Sequence, residues 1–352
     1  MAILKYSNVG ISGISFAVPR NVINNYEYTE HFSRQEVEKV VDSIGIYKRR
    51  FADADTCSSD LCHAAALDMI TNMDLDVSQI DALLFVSQTP DYRMPATSVI
   101  LQHRLGLDSA TIAMDITLGC SAFVYALQAA YSFLQNPGIN KVLLLNGETR
   151  SKVYSPKDRK TAFIFGDAGA AVLVEKNKRF GDSYFSLNSD GSKSDMIKID
   201  AGGYRQPSSP HGLKEKVVDA HGNIRNDEQG YMDGENVFSF VSKEVPKDLK
   251  RLFDFADIKM SAIDYFVFHQ ASKMINDHLV KKLKLEKEKV PSVLHKYGNT
   301  SSVSIPLTIA SELKYKLTNQ ETVCLSAFGV GLSWGSAIIN FHRCYLGDVT
   351  EV

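Results

Sequence analysis

Residues Asp115–Leu134, DITLGCSAFVYALQAAYSFL, pass from a short apolar run into a segment that is apolar on nearly every side. The first part reads as a strand and the second as a buried helix. Cys120 stands at the turn between them. The first turn of such a helix offers unpaired N–H groups and the positive end of its dipole. A cysteine held there is expected to be pushed toward the thiolate, its nucleophilic form.

Similar short apolar runs bounded by polar residues recur at 81–87, 141–146, 264–269 and 321–327, and read as buried strands. Helical patterns lie between them, at 58–70, 97–105, 236–255 and 306–317. Continuous apolar strands separated by helices predict an α/β protein with largely parallel sheets covered on both faces. The order helix, Asp-led strand, polar loop, helix occurs around Asp81 and again around Asp264. This predicts two similar halves, residues 1–180 and 181–352. The stretch 184–234, rich in Gly, Ser, Pro and Asp, is expected to form surface loops and short strands near a site opening.

The chain has 352 residues, 44% hydrophobic and 23% charged, which suits a globular protein. A formal net charge of −2, with no basic stripe, argues against nucleic acid as the main partner. No uninterrupted apolar stretch approaches the roughly 18 residues of a membrane span. The N-terminal residues lack the pattern of a secretory signal, and five cysteines do not suggest a disulfide scaffold. A reduced cytoplasm is the expected location. Cys57, Cys62 and His63 invite a metal reading, but C-x4-C-H is not a zinc spacing and no second ligand pair lies nearby. No metal is expected. The glycines of 328–331 do not open a helix after a strand in the G-x-G-x-x-G spacing, so close backbone approach explains them better than a phosphate cradle.

Two more segments bear on Cys120. His269 ends an apolar strand, where sheets of this type place their ligands. Taken alone it also fits a core histidine bonded to a carbonyl. Asn299 lies in KYGNTSS, 296–302, which by itself reads as a turn and helix cap. In combination, Cys120, His269 and Asn299 in their flanking patterns resemble the active-site set of the β-ketoacyl-ACP synthase III family of the thiolase-like superfamily. FGDAGAAVLV, 165–174, resembles the family's glycine-containing segment beneath the nucleophile helix. FGVGLSWGSAII, 328–339, resembles its C-terminal glycine loop and strand.

The resemblance implies a five-layer αβαβα fold, a homodimer, and no cofactor beyond coenzyme A or acyl-carrier-protein (ACP) thioesters as substrates. It implies that Cys120 takes an acyl group from acyl-CoA or acyl-ACP, and that backbone N–H groups of Cys120 and Val330 hold the oxyanion. His269 and Asn299 would then stabilise the enolate formed when malonyl-ACP loses CO2. Cys324 and Cys344 match no second catalytic cysteine of the degradative thiolases. Gly234, Asn236 and Phe328 are expected to contact substrate. Met94 is placed at the dimer interface near the acyl pocket, and Lys273 at the carrier-protein contact. The chain departs from the family where a tryptophan and an arginine clamp the adenine of coenzyme A, since Lys39 and Ser43 stand near those positions. Glu235 occupies the place of an amide near the pantetheine arm, and Met274 that of a basic residue. Two other readings remain open: acyl transfer to a hydroxyl or amine without decarboxylation, and a non-catalytic subunit of a condensing complex.

Overall fold

Side-chain alternation along the strands decides how the layers stack. In the strand Ala82–Val86, Ala82, Leu84 and Val86 face one apolar cluster while Leu83 and Phe85 face another. In Thr322–Gly329, Val323, Leu325 and Ala327 share the first cluster, and Cys324 and Phe328 turn the other way. The first cluster therefore lies between two sheets. It also contains both buried helices, Ala122–Phe133 and Ser304–Glu312. Helices Ser58–Asn72 and Thr97–Arg104 cover the outer face of one sheet, and Gly234–Ala256 and Lys273–Leu283 that of the other. The result is five layers, αβαβα. This computed structural model describes residues 2–317 and 320–352.

The six-stranded sheet runs Tyr345–Glu351, Val9–Val18, Ala168–Lys176, Lys141–Glu148, Ala82–Val86, Ile112–Ile116. The five-stranded sheet runs Ala2–Tyr6, Ser183–Ser189, Ser333–Asn340, Thr322–Gly329, Tyr265–Phe268. Both sheets are mixed, which corrects the expectation of largely parallel sheets: the second has one parallel pair, between its last two strands. Strands buried on both faces read as the same apolar runs whichever way their neighbours point. Each sheet also takes a terminal strand from the far end of the chain, so the first and last strands cross the division at residue 180.

Two further boundaries differ from the sequence reading. Residues 183–189 form a largely buried sheet strand, and the short hairpins begin only after them. The helix expected over 306–317 starts at Ser304, with Pro306 in its first turn where the missing N–H costs nothing, and ends at Glu312. Lys316 and Leu317 then donate to the Leu313 carbonyl in a turn.

Candidate active site

Three chain segments far apart in sequence meet in one cavity of about 520 Å³, with Cys120, His269 and Asn299 all in its wall. Each is placed by different local chemistry. Cys120 precedes Ser121, the N-cap of the Ala122–Phe133 helix, and the last residue of the strand Thr322–Gly329 comes up against its sulfur. That residue is Gly329. A methyl group there would lie 2.5 Å from Cys120 Cβ and 3.0 Å from its Sγ, so only glycine lets the chain pass. Ser121 Oγ and Ser333 Oγ are 2.6 Å apart, and Ser333 Oγ donates to the Val330 carbonyl at 2.8 Å. Ser333 has spent its proton, so Ser121 is the donor between the two. The chain of bonds fastens the start of the Ala122–Phe133 helix to the loop bearing Val330.

His269 follows the strand Tyr265–Phe268 and its ring stands edge-on to Phe328, with centroids 5.6 Å apart. Its Nδ1 lies 2.7 Å from Ser304 Oγ, and that hydroxyl accepts the Gln270 N–H at 3.3 Å. Burial holds the imidazole pKa down to about 3; a Ser301 backbone bond opposes this and the Arg150 guanidinium adds to it. The ring is neutral at any physiological pH.

Asn299 is fixed by a crossing of two backbones. Its N–H donates to the Ile164 carbonyl at 2.9 Å, and its own carbonyl accepts from Gly166 N–H at 3.1 Å. A methyl on Gly166 would stand 2.3 Å from the Tyr297 carbonyl oxygen, which explains the glycine. Buried Arg49 braces the crossing, donating to Asn25 Oδ1 at 2.7 Å and to the Phe165 carbonyl at 3.0 Å. The Asn299 amide oxygen accepts the Ser301 N–H at 2.9 Å, which leaves its NH2 group as the other end of the side chain.

Behind Cys120 lies a buried polar group that sequence reading missed. Ser301 Oγ is 3.8 Å from Cys120 Sγ, donates to Glu148 Oε1 at 3.2 Å and accepts from Arg150 Nη2 at 3.2 Å. Glu148 and Arg150, 0 and 4% exposed, pair at 3.3 Å. Glu148 ends the apolar strand Lys141–Glu148 and Arg150 follows two residues on, as His269 follows its own strand, and that shared position is the signal that could have found them.

The thiolate expectation is corrected here. Burial pushes the Cys120 thiol up, and the Arg150 guanidinium and Ser301 hydroxyl pull it back without reversing the shift. Desolvation of the enclosed sulfur is the largest cause of the shift. The other expected residues divide. Gly234, Phe328 and Val330 line the cavity. Asn236 does not: its amide donates to Asp233 Oδ2 at 2.8 Å, as part of the helix cap. Met94 is 75% exposed and outside the cavity wall of the single chain. Lys273 pairs with Asp277, while its neighbours Ser272 and Met274 line the cavity. Gly169 meets the Ser58–Asn72 helix at Leu61 and Cys62, while Ala168, Ala170, Val172 and Val174 of the same strand pack in one cluster with the Ala122–Phe133 helix, as expected of the 165–174 segment.

This fold and cysteine site define a thiolase-like acyltransferase of the condensing type. Models described as 3-oxoacyl-[acyl-carrier-protein (ACP)] synthase III and its C terminal match residues 114–191 and 253–341. A β-ketoacyl-[acyl-carrier-protein] synthase III of Streptococcus mutans is 33% identical over 332 residues, covering 94% of this chain and 98% of that one. The crystal structure of a 3-oxoacyl-(acyl-carrier protein) synthase from Burkholderia xenovorans superposes with a TM-score of 0.93 at 36% identity, covering 100 and 99% of the two chains. That of 3-oxoacyl-(acyl carrier protein) synthase III from Pseudomonas aeruginosa gives 0.80 at 26%, covering 96 and 99%. The chain belongs to the 3-oxoacyl-ACP synthase III family.

Proposed function

We propose that this enzyme joins an acyl group, carried on Cys120, to the carbon released when a malonyl-ACP loses CO2. The observation that carries the reading is the meeting of Cys120, His269 and Asn299 in one cavity wall, with Gly329 against the sulfur. In the first half-reaction the Cys120 sulfur displaces the donor thiol. One C–S bond forms, one breaks, and the Cys120 proton leaves with the departing thiol. Backbone N–H groups of Cys120 and Val330 steady the oxyanion. In the second, malonyl thioester enters, and neutral His269 and Asn299 donate hydrogen bonds to its thioester oxygen as CO2 departs. Neutral donors suit this step because the charge they meet develops only in the transition state. The enolate carbon then attacks acyl-Cys120 and frees the thiolate. The substrates supply all the atoms, so the scheme needs no resident cofactor.

A homodimer fits the exposed edge of the six-stranded sheet. Its last strand, Ile112–Ile116, has no further neighbour among the described residues and exposes Ile112 and Met114, near exposed Val99, Tyr92 and Met94. No helix among the described residues is long and apolar enough to cross a membrane. A cytoplasmic enzyme drawing on acyl-CoA or acyl-ACP, with ACP contacted near Lys273, completes the proposal.

One experiment separates the readings. The protein is incubated with a panel of acyl-CoA and acyl-ACP donors and its intact mass recorded; malonyl-ACP is then added and CO2 measured. An adduct that vanishes in Cys120→Ala, followed by CO2 release, supports condensation. An adduct without CO2 release points to transfer onto a hydroxyl or amine. No adduct with any donor points to a non-catalytic subunit.

A further inference from the structure

A second cavity, of about 220 Å³, adjoins the first and shares Tyr154, Ile197 and Val330 with it. Its inner end is polar. Gln88 and Arg150 line it, and Ile199, 42% exposed, forms part of its outer lip. The inner end lies against the nucleophile segment, because a methyl on Gly119 would stand 2.5 Å from Gln88 Oε1 and 3.2 Å from Val330 Cγ2.

The donors there are only partly used. Arg150 Nη2 donates to Gln88 Oε1 at 2.5 Å and to Ser301, and Arg150 Nε faces Glu148. Among the described residues, Arg150 Nη1 and Gln88 Nε2 have no hydrogen-bond partner, and neither belongs to the atoms sealed in protein. A saturated chain entering this space would strip water from two donors and return nothing. An oxygen atom placed between them would restore both bonds. Because Glu148 already balances the guanidinium charge, a neutral oxygen fits better than a carboxylate.

We propose that the acyl group on Cys120 extends into this second cavity and carries an oxygen, hydroxyl or carbonyl, received by Arg150 Nη1 and Gln88 Nε2. Gln88 and Arg150 thus select an oxygenated acyl donor over a plain alkyl one. The inference rests on the acyl-Cys120 reading and names its substrate class.

The test compares four-carbon pantetheine thioesters: butyryl, 3-hydroxybutyryl, 4-hydroxybutyryl, acetoacetyl and succinyl. The rate of adduct formation is read by intact mass. At least one hydroxyl- or carbonyl-bearing group is expected to load about tenfold or more faster than butyryl. In Gln88→Leu, the preference is expected to shrink to about threefold or less. Butyryl loading as fast as every oxygenated group overturns the proposal, and so does an unchanged preference in Gln88→Leu. Succinyl loading fastest overturns the neutral-oxygen assignment. The wild-type comparison decides even when the variant does not fold. Failure of all five to load, and of the CoA and ACP panel as well, sinks the acyl-Cys120 reading itself.

Discussion

Ser304 holds the His269 ring through its Nδ1. Its hydroxyl lies 2.7 Å from Nδ1 and accepts the Gln270 N–H at 3.3 Å, which ties the ring to the neighbouring backbone. The proposed enolate step needs the hydrogen on Nε2, and so needs Nδ1 to accept the Ser304 proton. A ring in that tautomer can donate to a developing enolate oxygen but cannot take up a proton at Nε2. Ser304→Ala is expected to release the ring and slow CO2 release from malonyl-ACP about tenfold. Formation of the Cys120 adduct should stay within about twofold, since His269 has no part in it. Equal losses in both half-reactions would show that Ser304 merely supports the fold.

The depressed His269 pKa sets a pH expectation. An unfolded histidine titrates near 6.5 and this one near 3. Between those values the unfolded chain binds the extra proton, so the contribution to stability is complete above about 6.5 and lost as pH falls toward 3. CO2 release by preloaded enzyme should therefore show no fall with a midpoint near 6.5 when pH drops from about 8 to about 5.5. Such a midpoint would mean that His269 titrates as an ordinary histidine.

For Cys120 the direction is opposite. Its thiol is raised by burial, so the free enzyme's alkylation by iodoacetamide should still be climbing with pH above the usual thiol value of about 8.5. A plateau below about pH 7.5 would instead identify a resting thiolate.

Gly329→Ala should remove acylation. Its methyl would overlap Cys120 Cβ at 2.5 Å, and a displacement of this size at a nucleophile costs on the order of a hundredfold in rate. Gly166→Ala acts on the other side of the site. It forces apart the crossing that holds Asn299, destabilising the fold by about 1–3 kcal/mol. Among molecules that remain folded, CO2 release should fall more than adduct formation. Thermal melts together with the two half-reaction assays check both variants.

The sequence showed the three site residues because each stands in its own distinctive flank, and the joint pattern resembles one family over most of the chain. It showed strands where apolar runs were continuous, as in Ala82–Val86, and helices where apolar periodicity was strong, as in Gly234–Ala256. It could not show strand direction, since buried runs carry no such mark. Nor could it show the supporting residues. Arg49 meets Phe165 across 116 positions and Arg150 meets Ser301 across 151, so no local spacing links them. The thiolate expectation failed for a related reason: the helix end was legible, but the enclosure of the sulfur by Gly329 from a distant hairpin was not.

The division of labour between Cys120 and the His269–Asn299 pair is tested most directly by following both half-reactions in the same samples. Wild-type, His269→Ala and Asn299→Ala proteins are loaded with an acyl donor, their adducts quantified by intact mass, and CO2 release then timed after malonyl-ACP is added. The account predicts adducts in all three at rates within a fewfold of one another, with CO2 release reduced by about a hundredfold or more in both variants. Variants that fail to form the adduct while still releasing CO2 at the wild-type rate would contradict it.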